Sequence, residues 1–168
     1  MTCMAERLWI SQGAFWRMVS DAIRWSPCET GGMLLGYEAD NGEAVVTDIV
    51  GPGPRARHGR FRFRPDADHQ QAELEARYTR TDGRETYLGD WHTHPTGSSA
   101  PSILDKRTLA RIARTASSRT TRPIMVILSS NRESWVPGAI RFQWNERKFF
   151  LSNCLLTQLS PLIFGDPP

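Results

Sequence analysis

Residues 86–128 read TYLGDWHTHPTGSSAPSILDKRTLARIARTASSRTTRPIMVIL, and this stretch decides the fold. Its first part, 86–92, favours a β-strand that Pro95 ends, because proline cannot donate to a strand ladder. Apolar residues at helical spacing predict a helix over 102–118, and the apolar run 124–128 predicts a fully buried strand. Strands and helices that interleave in this way are typical of an α/β or mixed α+β protein.

The flanking sequence continues the same alternation of helices and strands. The patterns predict a helix over 11–24 capped by Ser11, strands over 33–37, 44–50 and 60–64, a helix behind a capping box of Asp68 and Gln71, and a closing hairpin of 139–144 and 147–151. We expect one domain over residues 1–160 and a flexible C-terminal tail over 161–168.

The composition agrees with a single folded domain. Of the 168 residues 39% are apolar and 10% aromatic, which excludes a disordered chain, a coiled coil and a collagen-like fibre. The formal net charge of +3 is too small to imply a nucleic-acid partner by itself. The longest apolar run, 123–128, falls far short of the ~20 residues that cross a bilayer. We therefore expect no membrane partner.

Three scattered cysteines, Cys3, Cys28 and Cys154, argue against a disulfide framework and against a cysteine-based zinc site. The N-terminus also lacks the apolar stretch of a signal peptide. A reducing, cytoplasmic compartment is the expectation.

Two histidines, His92 and His94, occupy alternate positions at the end of the strand predicted over 86–92. Residues i and i+2 of a strand share a face, so both imidazoles can bind one ion. Asp105 lies in the first turn of the next helix, across a short loop, and can supply a third ligand. Three protein ligands and one water form the open shell of a catalytic zinc site, in which the pKa of the water falls to about 7.

Such a water needs a carboxylate to accept its proton, and the spacing alone does not identify it. Glu29 is the best candidate, since it lies between a proline turn and Gly31-Gly32, whereas Glu38, Glu43 and Glu85 occupy ordinary surface positions. Ser102 can donate a hydrogen bond to a developing oxyanion. The segment Ser102–Asp105 also fits a helix capping box, and both interpretations can hold together.

These residues resemble the JAMM signature of the JAB/MPN metalloprotease family. The signature is a distal Glu, then His-x-His-Pro, then Ser-x-x-Asp, and the chain has each part in ETGGMLLG (29–36) and HTHPTGSSAPSILD (92–105). The resemblance covers roughly residues 8–130. It implies a curved mixed β-sheet flanked by helices, similar to cytidine deaminases. It further implies one Zn²⁺ bound by His92, His94 and Asp105, with Glu29 as general acid/base and Ser102 supporting the tetrahedral intermediate.

The resemblance also implies a function. Members of the family hydrolyse the bond after the C-terminal glycine of ubiquitin or a ubiquitin-like protein. Compact bacterial relatives accompany E1- and E2-like enzymes in anti-phage operons, where some reverse conjugation of a cGAS-like nucleotidyltransferase and others process a ubiquitin-like protein. A RadC-type protein linked to DNA and a non-catalytic MPN scaffold are the rivals. A zinc deaminase is excluded, because its His-x-Glu and Pro-Cys-x-x-Cys pattern is absent.

Two further features of the sequence have more than one interpretation. Five arginines lie in the ten residues from Arg55 to Arg64. They can form a surface that binds nucleic acid or an acidic protein, but a solvated strand edge explains them slightly better. Asp90 shares the face of His92 and His94, so it can orient a ligand, but a solvated acid at the strand end is the better explanation. Trp91 and Thr93 are expected to pack on the opposite face.

Overall fold

The computed structural model describes residues 6–131, 134–144 and 154–165. Its elements follow one another as β1 (Glu6–Ser11), α1 (Gln12–Trp25), β2 (Gly31–Glu38), β3 (Ala44–Val50), β4 (Arg57–His58), β5 (Phe63–Arg64), α2 (Ala67–Arg80), β6 (Thr86–His94), α3 (Ile103–Arg114), a 3₁₀ turn (Ala116–Ser118), β7 (Ile124–Ser130), β8 (Trp135–Trp144) and β9 (Cys154–Phe164). No helix of the described part of the chain is long and apolar enough to span a membrane.

Seven of the strands form a closed barrel in the order β1-β3-β2-β6-β7-β8-β9. Parallel pairing of β9 with β1 closes the barrel, with Glu6 opposite Leu159 and Ser11 opposite Phe164. The pairs β1–β3 and β6–β7 are also parallel, and the remaining neighbours are antiparallel. A curved mixed sheet with helices against it confirms the predicted fold class.

Strand β7 is buried on both faces, which explains its unbroken apolar run. Ile124, Val126 and Leu128 belong to the large core cluster, which also contains Met18 and Val19 of α1. The alternate side chains of β7 pack instead against α3, in a second cluster made of Leu109, Ala113, Met125, Ile127, Ile140 and Phe142. The barrel wall therefore has α1 on one side of β7 and α3 on the other.

The helix starts follow from side-chain capping. Ser11 caps α1 as predicted, its Oγ accepting from the Ala14 N–H at 3.1 Å. The predicted cap of α2 is wrong by two residues: Asp66, not Asp68, occupies the N-cap and accepts from the His69 N–H. Arg55 favours Asp66, because its backbone N–H, Nε and Nη2 all donate to the Asp66 carboxylate, whereas Asp68 accepts from Nη2 alone.

Two predicted strands and the predicted C-terminal tail need correction. Residues 60–64 do not form one strand, because only Phe63–Arg64 pair, with Arg57–His58, in a separate two-stranded sheet, and Phe61 is 82% exposed. Strand β6 extends beyond residue 92 to His94. The prediction of a flexible tail from residue 161 is wrong for residues 161–164, because they belong to β9 and pair with β1.

Some predictions fall on residues for which no structure is described. The strand over 147–151 and the last tail residues, 166–168, lie outside the described ranges. Within the described ranges, β8 pairs in antiparallel orientation with β9, with Ala139 opposite Leu159 and Trp144 opposite Cys154.

Replacing Asp66 by alanine should lower the unfolding temperature at pH 7 by several degrees, because it removes both the α2 cap and the partner of Arg55. The unfolding temperature of the exposed Asp68→Ala control should stay within about 1–2 °C of wild type.

The stabilisation by Asp66 should also depend on pH. Hydrogen bonds from Arg55 lower the pKa of Asp66, so this stabilisation is present above the carboxyl pKa of the unfolded chain and is lost as pH falls through the pKa of the folded protein. Calorimetry should show the difference between wild type and Asp66→Ala shrinking steadily below about pH 4. An equal effect of both variants at pH 7 would contradict this assignment of the cap.

Candidate metal centre

The two histidines lie near the carboxyl end of β6 and converge on one point. Because β6 continues to His94, residues 92 and 94 share a face, while Trp91 and Thr93 are fully buried on the other, as predicted. The Nε2 atoms of His92 and His94 are 3.0 Å apart. The shared face is the one that carries α3, because His92 lies beside Ile127, which packs against that helix.

Asp105 is brought to the same point by the start of α3. Ser102 Oγ accepts from the Asp105 N–H at 3.2 Å, and Asp105 Oδ2 accepts from the Ser102 N–H at 2.6 Å, which completes a capping box. The carboxylate then reaches both imidazoles, with Oδ1 3.3 Å from His92 Nε2 and Oδ2 3.7 Å from His94 Nε2. The Asp105 side chain thus both caps α3 and contacts the two histidines.

Opposing effects act on the pKa of Asp105. Burial alone would raise this pKa, but hydrogen bonds from His92 and from the Ser102 backbone, together with the charge of His92, lower it below its ordinary value. The side chain is therefore a carboxylate at neutral pH, which is the form that binds a metal.

The separations of these donor atoms suit a tetrahedral zinc ion. Zn–N bonds of about 2.0–2.1 Å place tetrahedral ligand atoms roughly 3.3 Å apart. The separations of His92 Nε2 from His94 Nε2, 3.0 Å, and from Asp105 Oδ1, 3.3 Å, are close to that value, and one ligand atom of each residue lies within 4.8 Å of the other two. His94 Nδ1 lies 2.8 Å from the Ser98 carbonyl oxygen, so we assign the proton to Nδ1 and a lone pair to Nε2. Two imidazoles and a carboxylate this close together need a cation or a proton between them. The donor set fits Zn²⁺.

Glu29 lies beside the histidines because β2 and β6 are paired in a fixed register. Gly31 is opposite His92, and beyond the strand end the Thr93 N–H donates to the Thr30 carbonyl at 2.9 Å. Glu29 precedes Thr30, just outside the strand, and its carboxyl group is close enough to His92, His94 and Asp105 for their charges to act on its pKa. Gly31 permits the close approach of the strands, since a Cβ there would lie 2.4 Å from the Trp91 carbonyl oxygen.

Burial raises the pKa of Glu29 above its ordinary value. Positive charge on His92 and His94 would lower this pKa, and the charge of Asp105 adds to the increase. These interactions show that the carboxyl group belongs to the same electrostatic environment as the three candidate ligands. A carboxyl group whose pKa is raised towards neutrality is suited to accepting and returning a proton.

Asp90 is not a solvated acid at the strand end, because β6 continues four residues beyond it. It is partly buried, it accepts a hydrogen bond from the Tyr87 hydroxyl at 2.8 Å, and burial raises its pKa. The arginine cluster is divided by the fold: Arg55 pairs with Asp66 and Asp68, and only Arg57 and Arg64 lie on paired strands. The edge-strand explanation therefore holds for two of the five arginines.

Two groups that the sequence did not indicate hold the main chain at Glu29 and Thr30. Thr93 Oγ1 accepts from the Thr30 N–H at 3.0 Å, and His58 Nδ1 lies 3.0 Å from the Glu29 carbonyl oxygen. Both contacts join residues at least 29 positions apart in the chain. No local pattern of the sequence could have indicated them.

The capping role of Ser102 predicts unequal effects of two small substitutions. Ser102→Ala should lower the free energy of unfolding by about 1 kcal/mol, whereas Ser102→Gly should lower it by only a few tenths, because glycine is an acceptable N-cap. Urea unfolding of the two variants measures the difference. Equal stability of Ser102→Ala and the wild type would show that the capping hydrogen bond contributes nothing.

Comparison with known proteins gives relatives whose names agree with this chemistry. The chain is 41% identical over 138 residues to a probable metalloprotease of Sinorhizobium fredii, covering 81% of this chain and 84% of that protein. It is 31% identical over 123 residues to a CD-NTase/cGAS isopeptidase of Enterobacter hormaechei, covering 73% and 67% of the two chains. A protein of the same description from Pseudomonas aeruginosa is 33% identical over 120 residues, covering 68% and 72%.

A solved structure supports the fold independently. Protein DSY2949 of Desulfitobacterium hafniense superposes with a TM-score of 0.67 over 95% of this chain and 94% of that chain, at 16% sequence identity. At this identity the likeness concerns the fold alone. Residues 11–144, which contain all five candidate site residues, match the family described as prokaryotic homologs of the JAB domain. The chain therefore belongs to the family of prokaryotic JAB-domain homologues, as its sequence motifs predict.

Proposed function

We propose that this chain is a zinc-dependent isopeptidase that cleaves the bond after the C-terminal glycine of a ubiquitin-like protein. The observation that carries the proposal is the convergence of His92, His94 and Asp105, whose ligand atoms all lie within 4.8 Å of one another. Glu29, with its raised pKa, lies close enough to these three residues for their charges to act on it. Two imidazole nitrogens, one carboxylate and an adjacent proton acceptor are the groups that hydrolysis of an amide at a zinc ion requires.

Each residue has a distinct role in this proposal. His92, His94 and Asp105 would hold the ion, and the chemistry that a bound Zn²⁺ would supply is the acidification of a water and the polarisation of the scissile carbonyl. Glu29 accepts the proton of the nucleophile at its carboxylate and returns it to the leaving amine. Ser102 lies at the N-terminus of α3, next to Asp105, where its hydroxyl can donate to the oxygen of the tetrahedral intermediate. Its Oγ still accepts from the Asp105 N–H in this role, because a hydroxyl both donates and accepts.

The substrate class rests on the relatives. Several are named CD-NTase/cGAS isopeptidases, and the identity to them ranges from 26% to 35%. We propose that this chain likewise releases a cGAS-like nucleotidyltransferase or another target from a conjugate, in the bacterial cytoplasm, as part of anti-phage defence. E1- and E2-like enzymes would then form the conjugates that this enzyme removes. Trimming of a precursor uses the same bond and the same residues.

Purified wild-type protein should contain one zinc per chain, and Asp105→Ala should contain less than a tenth of that, because a ligand is lost. Elemental analysis after gentle purification measures both. Asp105 also caps α3, so Ser102→Ala, which weakens the cap but keeps every ligand, is the matched control and should retain zinc. Loss of zinc from Ser102→Ala as well would attribute the effect to unfolding of the helix start. Wild-type protein without zinc would contradict the metal site.

Glu29→Gln should retain zinc and lose at least 10³-fold in kcat, since the amide keeps the shape of the side chain but cannot accept the proton. The substrates to be tested are a ubiquitin-like protein fused after its terminal glycine to a fluorescent protein, and a cGAS-like nucleotidyltransferase conjugate. Glu43→Gln, at a half-buried carboxylate that accepts a hydrogen bond from Trp9 Nε1, is the control and should keep full activity. Full activity of Glu29→Gln would remove Glu29 from the mechanism.

A further inference from the structure

A third histidine, His58, contacts the main chain of the candidate general base. His58 Nδ1 lies 3.0 Å from the Glu29 carbonyl oxygen, and the next residue, Gly59, accepts from the Glu29 N–H through its carbonyl at 2.8 Å. Residues 58–59 therefore hold both polar groups of the Glu29 main chain. The following residue, Thr30, is held from the opposite side by Thr93 of β6.

The surroundings of His58 fix its orientation and its protonation state. Its ring stacks on Trp25, the last residue of α1, with centroids 3.5 Å apart and planes at 7°, and Phe63 of β5 lies 5.4 Å away. Burial lowers the pKa of His58, so the ring is neutral at pH 7. We assign its one N–H proton to Nδ1, which donates to Glu29. Nε2 is buried and has no hydrogen-bond partner among the described residues.

This arrangement differs from that of an ordinary core histidine. A buried ring nitrogen without a partner has a cost, yet phenylalanine would fill the same space between Trp25 and Phe63 without that cost. What phenylalanine cannot supply is the N–H that Glu29 accepts. The advantage of histidine here is therefore the hydrogen bond to Glu29.

We infer that His58 is a positioning residue for Glu29, and this inference rests on the proposed role of Glu29 as general base. Glu29 lies between α1 and β2, outside any regular element, so no helix or strand ladder fixes its conformation. His58 and Gly59 hold it from one side, and the Thr30–Thr93 pair holds it from the other. A displacement of about 1 Å in a reacting group can reduce the rate about 10²-fold, so this support bears directly on catalysis.

The test compares substitutions that separate the ring from its N–H donor. His58→Phe keeps an aromatic ring against Trp25 but has no donor, and it should lower kcat 10- to 100-fold, with KM, zinc content and unfolding temperature close to wild type. His58→Asn places an amide N–H near the position of Nδ1 and should recover most of that loss. Phe63→Leu, which alters the other neighbour of the ring, is the matched control and should keep kcat within twofold of wild type.

Hydrogen exchange tests the inference without any substrate. In the zinc-loaded protein, the Glu29 amide should exchange at least tenfold faster in His58→Phe than in wild type, because its bond to Gly59 loosens when His58 releases the neighbouring carbonyl. The Thr30 amide, which Thr93 holds, is the internal control and should be unaffected. If wild type cleaves none of the substrates, the proposed function fails, but this comparison still decides the role of His58.

Unchanged Glu29 exchange together with unchanged kcat in His58→Phe would overturn the inference. If His58→Phe does not fold, His58→Asn and His58→Leu replace it, because they are close in size and differ in the donor. Equal kcat and equal Glu29 exchange in those two variants would likewise overturn it. Faster exchange and a lower kcat in His58→Leu than in His58→Asn would support it.

Discussion

The antiparallel register between β2 and β6 is the constraint on which the candidate centre depends. With Gly31 opposite His92, the chain before β2 passes directly beside the two imidazoles. A shift of the pairing by one residue would turn Glu29 to the other face of the sheet and separate it from the histidines. The register is held by the close approach at Gly31 and by the paired hydrogen bonds of Thr30 and Thr93.

Asp105 links the centre to the rest of the fold. The same carboxylate accepts the Ser102 N–H and faces His92 and His94, so the first turn of α3 and the donor set have a common member. Further along, Leu109 and Ala113 hold the helix against β7 and β8 through the second apolar cluster. Packing along α3 thus determines where the third donor stands relative to β6, and the cap determines which way its oxygens point.

The sequence was sufficient for the parts of the structure that local spacing controls. His92 and His94 share a face because they are two positions apart on a strand, and Ser102 and Asp105 meet because they are three apart at a helix start. Glu29 was already the best candidate from its place between a proline turn and Gly31-Gly32, but only the family resemblance connected it to residue 92, since nothing local does. The elements that went wrong depend on distant partners: Arg55 selects Asp66 over Asp68 as the cap, and the strand that pairs with 161–164 is at the other end of the chain.

The parallel closure of the barrel by β9 has a consequence for the association of this protein. If β9 were to detach, β1 and β8 would each expose a row of unpaired backbone N–H and C=O groups. Such open edges are templates for pairing with a strand from another molecule. Several apolar side chains of β9, Leu155, Leu162 and Ile163, are exposed even in the closed barrel. Exchange of β9 between two copies of the chain would satisfy both edges at once, so β9 is the element through which two copies would swap strands.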